Sequence, residues 1–398
     1  MSLVFVDDAT AAGFAPFALT RPACELRAGG ELVRRRWESS LGAPTTGFVG
    51  AEHLLDFDEP GAANAMGGRV PAGSIVVNAR CAVSLAPAPR EADAWRCEGR
   101  IAAVRVRSTF DVTDGPALWD EVERTAGRGA MVDVEGRWMD SVWDLVRHLP
   151  DLLALDIPRI AEALATHSPV GITRLGPHPV YIERGATMEP HIVVDAMAGP
   201  VLVRRGAVVH AFTRLVGPCL IGEDVIVHGG RIATSSIGEY CRVCGEVSTS
   251  VFTGHANKAH DGFIGHSVLG RWVNLGASTV GSNLKNNYGE VAMWTPGGVE
   301  PTGLQFLGTM FGDHAKTAIG TRLTTGAVIG TGANVLGSSL TPKVVPPFAW
   351  GSDESSRWDL EPFLVTAERV MKRRHLTLTE KGRRQLTAAW HVAMRGVR

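Results

Sequence analysis

Cys241 and Cys244 stand three positions apart, a spacing that suits a metal ion. No second pair accompanies them, so they read as two small residues in repeating positions and a zinc site is not expected there. A second group is the basic stretch Lys372, Arg373, Arg374, Lys381, Arg383 and Arg384, which either forms a solvated face or meets a nucleotide phosphate. A third is the segment from about Asn283 to Lys316, with Lys285, Tyr288, Trp294, a turn at Pro296 to Gly298, and Asp313-His314. It interrupts a repeat, as does the shorter Ala233 to Ser236, and interruptions of repeats tend to be loops on a working face. The longer one could reach a neighbouring subunit.

These groups need elements to hold them. At 398 residues, with 45% apolar and 20% charged residues, the chain suits a soluble globular protein of two domains. Lysine plus arginine, 40, nearly balance aspartate plus glutamate, 41, so no net field draws the chain to nucleic acid or an anionic membrane. The start MSLVFVDD lacks a signal-peptide core, and no apolar run approaches the roughly 20 residues that span a bilayer. A cytoplasmic location is expected, and six cysteines are too few for a disulfide framework.

The first half alternates β-rich runs (Leu3 to Val6, Ser74 to Asn78, Ala102 to Val106) with helical patterns (Glu31 to Leu41, Pro116 to Thr125). Helical spacing from Val142 to Thr166, interrupted at Pro150 and Pro158, predicts two or three helices closing that domain. From about residue 187 a period of six takes over. Val203, Val209, Leu215, Ile221 and Val227 are six apart, with Ala207, Thr213, Cys219 and Val225 four positions after the first four. The frame returns at Ile237 and Val243, with Cys241 and Val247, and at Leu269 and Leu275, with Val273 and Thr279. A last run has Ile319, Thr325 and Thr331, each followed by glycine, with Leu323, Ile329 and Val335 four on. Three such units make one triangular coil of a left-handed parallel β-helix, the aliphatic residue filling the tube. After Pro346-Pro347 two helices are expected, Asp359 to Arg374 and Glu380 to Met394. Thr377 or Thr379 is the expected cap, and Thr377 with Glu380 has capping-box spacing. The expected domains are 1–185 (α/β), 186–345 (left-handed β-helix) and 346–398 (helical tail).

The segment NKAHDGFIGHSVLGRWVNLGAST, residues 257 to 279, resembles the acetyltransferase domain of the bifunctional N-acetylglucosamine-1-phosphate uridyltransferase/glucosamine-1-phosphate acetyltransferase family. The whole chain resembles more closely a variant bacterial group of sugar nucleotidyltransferases with that two-part layout. The motifs are DD…LTRPACELRAG (7 to 29), WDLVRH (143 to 148), GPVLVRRGA (199 to 207), SNLKNNYGEV (282 to 291) and GDHAKTAIGTRLTTGAVIG (312 to 330). The resemblance implies His260, five before Gly265, as the catalytic base, with Asn274, fourteen further on, beside it. Ala277 would bring a backbone N–H to the thioester. An imidazole titrating near neutral pH can accept the proton that an amino sugar loses on attacking a thioester, and a backbone N–H suits the oxyanion. Lys258, Lys285 and Tyr288 are the companion binding candidates, the lysines as point charges for phosphates. Phe263 stands where that family has a tyrosine. Acetyl-CoA, an amino sugar phosphate and a homotrimer with sites between subunits follow as expectations.

The nucleotidyltransferase resemblance implies a phosphate-cradling loop after the first strand. Here DDATAAGFAPFALTRP offers a single glycine, Gly13, and Arg21-Pro22 near the position of a proline-lysine pair. Arg21 and Arg27 are the candidates for phosphate or sugar contacts, together with Glu25; the alternative for all three is salt bridges within the first turn. Mg2+ and a nucleoside triphosphate would be needed for turnover, and Asp7 beside Asp8 puts like charges together unless such an ion lies between them. Asn78 and Arg80 stand where a metal-binding aspartate would be useful. Competing readings are a degenerate N-terminal binding module beside an acyltransferase, a nucleotidyltransferase whose β-helix is only a trimer scaffold, and a γ-carbonic-anhydrase-like zinc site using His255 and His260.

Overall fold

The apolar run LVFV becomes strand β1 (Leu3–Val6), buried throughout. Helix α1 (Val33–Leu41) follows and ends where Gly42 turns left-handed, at φ +56°, a conformation that glycine adopts without penalty. The other sheet strands are β2 (Thr45–Val49), β3 (Ile75–Asn78), β4 (Ala94–Cys97) and β5 (Arg100–Arg105). Helix α2 (Gly115–Glu123) starts at Asp114, whose side chain accepts from the Ala117 amide, and strand β6 (Met131–Asp133) comes last. The order across the sheet is β6-β4-β5-β3-β1-β2. Central β1 runs parallel to β2 and β3, β6 is parallel to β4, and β5 is antiparallel to both neighbours. The computed structural model describes residues 1–112, 114–337, 339–351 and 356–395.

The chain divides into two compact units, Met1–Asp144 with Leu378–Arg398, and Leu145–Thr377. The first is an α/β domain with mostly parallel strands; the second holds a left-handed β-solenoid of about 10 turns over residues 172–345. Helix α3 (Leu149–Ala161) belongs to the second unit and packs on the rungs Val201–Val203 and Cys219–Ile221, rather than closing the first domain. Pro158 does not end it: the carbonyl that its ring deprives of a partner belongs to Ala154, which is exposed to solvent.

Along one wall of the solenoid nine short strands stack in parallel, from Val180–Glu183 to Val344–Val345. Ile182, Val203, Ile221, Ile237, Phe252, Leu269, Phe311, Ile329 and Val345 point inward at these rungs and are buried. Each such side chain removed from water contributes roughly 1.5–3 kcal/mol. Val203 to Ile221 is a coil of 18, three hexads, but Ile221 to Ile237 spans 16 and Ile237 to Phe252 spans 15. In the coil of 16, one residue is lost between Val227 and Gly230, opposite Val209 to Thr213, and the other at the break from Ala233 to Ser236, opposite Val216 to Leu220, where the chain turns at Thr234 with φ +48°. Ile319 also departs from the frame. It precedes Gly320 at a corner and is 80% exposed, while Leu323, Ile329 and Val335 fill the tube.

Leu269 and Phe311 pair although 42 residues apart, because the chain between them loops out as a hairpin of Val291–Thr295 and Gly298–Leu304. Cys241 lies in the core, whereas Cys244 faces outward beside Asp261, so the two do not converge. Serine hydroxyls form a buried ladder: Ser235 Oγ accepts from the Ser250 amide, Ser250 Oγ from Ser267 and Ser267 Oγ from Thr309. One corner carries left-handed residues with stacked rings, Tyr240, His255, Trp272 and His314, at centroid spacings of 4.9, 4.3 and 6.2 Å. Helix α4 (Leu360–Lys372) closes that stack by setting Phe363 on edge against His314 and Phe348. The last helix, α5 (Glu380–Arg395), belongs to the first unit, and its cap is Thr379, whose hydroxyl accepts the Gly382 amide. Among the described residues no helix is long and apolar enough to cross a membrane.

Candidate functional site

Where parallel strands lie on both sides of a central one, their carboxyl ends open a crevice in which α/β sheets bind ligands. β1, β2 and β3 meet that condition, and the residues just past them converge. Asp8, immediately after Asp7, accepts from Arg80 Nε at 2.8 and 3.0 Å and Nη2 at 2.7 Å, from Asn78 Nδ2 at 2.9 Å, and from the Ala11 amide at 2.9 Å. Burial alone would raise its pKa, but Arg80, Asn78 and Ala11 outweigh it and hold the carboxyl below the usual range. Arg80 also donates at 2.8 Å to Asp140, which Arg100 grips at 2.8 and 3.0 Å, and both guanidiniums lie over the Trp138 ring.

Asp7 has a different environment. Oδ1 accepts the Ala23 amide at 3.0 Å, while Oδ2 faces Gly50, where an added Cβ would stand 3.1 Å away. Burial, helped by the charge of Asp8 and opposed by the Ala23 bond, pushes its pKa up to about 7. Two adjacent carboxylates are thus set apart: Asp8 is ionised and neutralised by Arg80, and among the described residues no cation pairs with Asp7. Gly115, at the start of α2, makes room for this backbone, since a Cβ there would lie 2.2 Å from the Asp7 carbonyl oxygen.

Arg21 is 1% exposed and pairs with Glu59 at 2.6 Å, its other nitrogen reaching the Glu25 carbonyl at 3.3 Å. Arg27 is buried and donates to the Gly30 carbonyl at 2.7 Å. Glu25 accepts from Arg34 Nε at 2.6 Å and from the Ala63 amide at 2.9 Å. These bonds hold the first turn together. Asp140, Arg100 and Trp138 had no sequence signal, because they meet Arg80 from distant segments.

In the solenoid, His260 is exposed at the corner after the rung Asn257–Lys258. Lys258 aligns with Val227, Val243 and Leu275, an inward column, and is 2% exposed. Its amine turns back to the wall, donating to the Cys244 carbonyl at 2.9 Å and the His260 carbonyl at 2.5 Å. Burial pulls its pKa down to about 8. Asn274 lies on the next coil, and its Oδ1 accepts from Asn257 Nδ2 at 2.9 Å, a side-chain ladder. The Ala277 carbonyl accepts the Gly320 amide at 2.8 Å. Lys258, His260 and Asn274 therefore gather on one wall. Lys285 and Tyr288 belong to the insertion, the amine donating to the Glu290 carbonyl at 3.0 Å and the phenol 69% exposed.

His255 and His260 stand at opposite ends of the same rung. His255 is sandwiched between Tyr240 and Trp272 with Arg271 Nη1 3.5 Å from its Nδ1, a cation that opposes a bound dication. Among the described residues no three His, Cys, Asp or Glu side chains are grouped to hold a metal ion. Behind His260, His210 and His228 stack at 5.5 Å, with Glu189 2.8 Å from His210 Nδ1.

Residues 3–164 match the model of a family described as sugar nucleotidyl transferase. That match runs from β1 through Asp140 and includes every member of the carboxyl-edge cluster. No curated protein matches the chain. A sugar nucleotidyltransferase domain joined to a β-solenoid fits a transferase of sugar-nucleotide biosynthesis.

Proposed function

We propose that the first unit joins a nucleoside triphosphate to a sugar 1-phosphate, and that the solenoid, as a homotrimer, acetylates an amino sugar phosphate from acetyl-CoA, as in the bifunctional uridyltransferase/acetyltransferase family. The observation that carries the first activity is Asp7, a buried carboxyl with no counter-charge among the described residues, at the sheet edge of a domain matching sugar nucleotidyl transferases. A phosphate oxygen of the sugar 1-phosphate attacks the α-phosphorus, the bond to the β-phosphate breaks and pyrophosphate leaves. Asp7 is the residue that fits Mg2+, which is held by one or two carboxylates plus substrate phosphates. A cation there would keep Asp7 ionised and neutralise phosphate charge. Asp8 does not fit, because Arg80 and Asn78 already fill its oxygens.

The acetyl transfer rests on the wall of Lys258, His260 and Asn274. The exposed imidazole takes a proton from the amine as its nitrogen attacks the thioester carbonyl, and the carbon–sulfur bond breaks to release coenzyme A. Lys258 fixes the backbone that presents that imidazole. Two assays test the pair on wild type and His260→Ala: thiol release from acetyl-CoA with glucosamine 1-phosphate, and pyrophosphate release from nucleoside triphosphates with N-acetylglucosamine 1-phosphate and Mg2+. Thiol release lost by about a hundredfold in the variant, with pyrophosphate release intact, is expected. A trimer that releases no thiol sinks the acetyl reading, and absence of pyrophosphate with every nucleotide and sugar phosphate tried sinks the other.

A further inference from the structure

The last helix, α5, reaches into the segments around the carboxyl-edge cluster of its own unit. Gln385 is 6% exposed, and its Nε2 donates to the Thr20 carbonyl at 2.6 Å. Three residues after Thr20, the Ala23 amide donates to Asp7. Beside Thr20, Arg21 is tied to Glu59, in a segment that α5 also holds: Arg384 pairs with Asp56 at 2.9 and 3.1 Å, Thr379 bonds Asp58, and Lys381 donates to Asn64 at 2.9 Å. His53, in the same segment, meets the Ala18 carbonyl at 3.1 Å. One helix therefore grips both strips of chain flanking the turn that holds Asp7.

The grips differ in kind. Those of Arg384 and Lys381 are exposed, and such contacts contribute little to stability. The Gln385 bond is buried and aimed at loop backbone. We propose that Gln385 is a positioning residue for nucleotidyl transfer, fixing through the Thr20 carbonyl the turn whose Ala23 amide orients Asp7. This rests on the nucleotidyl-transfer reading above.

Full-length Gln385→Leu, close in size and without a donor, is compared with Arg384→Ala on the same helix. The measurements are hydrogen–deuterium exchange over residues 14–23 and the kcat and KM of pyrophosphate release. Gln385→Leu should exchange faster across 14–23 but not in β1, and should lose kcat by about a hundredfold with the nucleotide KM within twofold. Arg384→Ala should do neither. If Gln385→Leu does not fold, Gln385→Asn, whose amide stops one methylene short, should show the same changes at smaller size. Unchanged exchange at 14–23, loosening that leaves kcat intact, or equal losses in Arg384→Ala would overturn the proposal. A wild type without pyrophosphate release overturns the functional reading and any catalytic role for Gln385, while exchange still decides whether Gln385 fixes the turn.

Discussion

The two units bury charge in opposite ways. In the first, Asp7, Asp8, Arg21, Glu25, Arg27, Arg34, Arg36 and Arg80 all lie below the surface, most of them answered by an opposite charge or a carbonyl. In the second, the tube is apolar from Ile182 to Ala349, and among the described residues the inward column containing Val227, Val243 and Leu275 admits one cation, Lys258, while Glu183, Asp195, Arg271 and Asp313 are buried outside that column. A buried ion costs several kcal/mol of lost hydration, so it persists where partners or function require it. The first unit spreads that cost over a network that, among the described residues, leaves Asp7 short of positive charge. Inside its tube, the solenoid places it at the residue beneath the His260 corner.

Asp7→Asn should sharpen this contrast most. Pyrophosphate release should fall by about a thousandfold, while thermal unfolding without Mg2+ moves to higher temperature at pH 8. The sign follows from a folded pKa of about 7, above the unfolded value. Stability tied to the protonated carboxyl is complete at low pH and lost as pH rises through 7. A variant less stable than wild type at pH 8 would show that Asp7 is already compensated.

Lys258→Met comes next. Thiol release should drop about tenfold to a hundredfold as the His260 backbone loses its anchor, yet the melting temperature should hold or rise, because an aliphatic chain suits a column of valines and leucine. A large loss of stability would mean that the amine bridges the coil rather than presenting His260. The smallest effect concerns His266, whose pKa burial lowers to about 4 while Asn283 bonds its ring and Phe306 covers it. Its contribution is intact above pH 6.5 and is lost as pH falls toward 4. His266→Gln should flatten the acid side of a urea-stability profile by about 2 kcal/mol between pH 7 and 5; an unchanged slope would place the acid sensitivity elsewhere.

Much of this was legible in the sequence. The hexad frame shows because most inward positions are aliphatic, and it fades where coils of 15 and 16 residues replace 18, as at Ala233 to Ser236. The rungs Ile172–Leu175 and Val180–Glu183 precede residue 186, where the period becomes readable. In the first unit the strands announce themselves as apolar runs. Asn78 and Arg80, noted as standing where an aspartate would be useful, turn out to be partners of Asp8, seventy residues upstream. Periodicity cannot report such pairings, nor that α5 docks through Gln385, because an amphipathic pattern states that a face is buried and not against what.

The return of α5 to the first unit also orders events during synthesis. The first 144 residues leave the ribosome long before Gln385 exists, and every coil of the solenoid is made in between. The α/β unit must therefore wait, with the Thr20 turn unclasped, while a neighbour built of local, coil-to-coil contacts can fold as it emerges. The crevice at the carboxyl edge of the sheet would then mature only after every coil of the solenoid has been made.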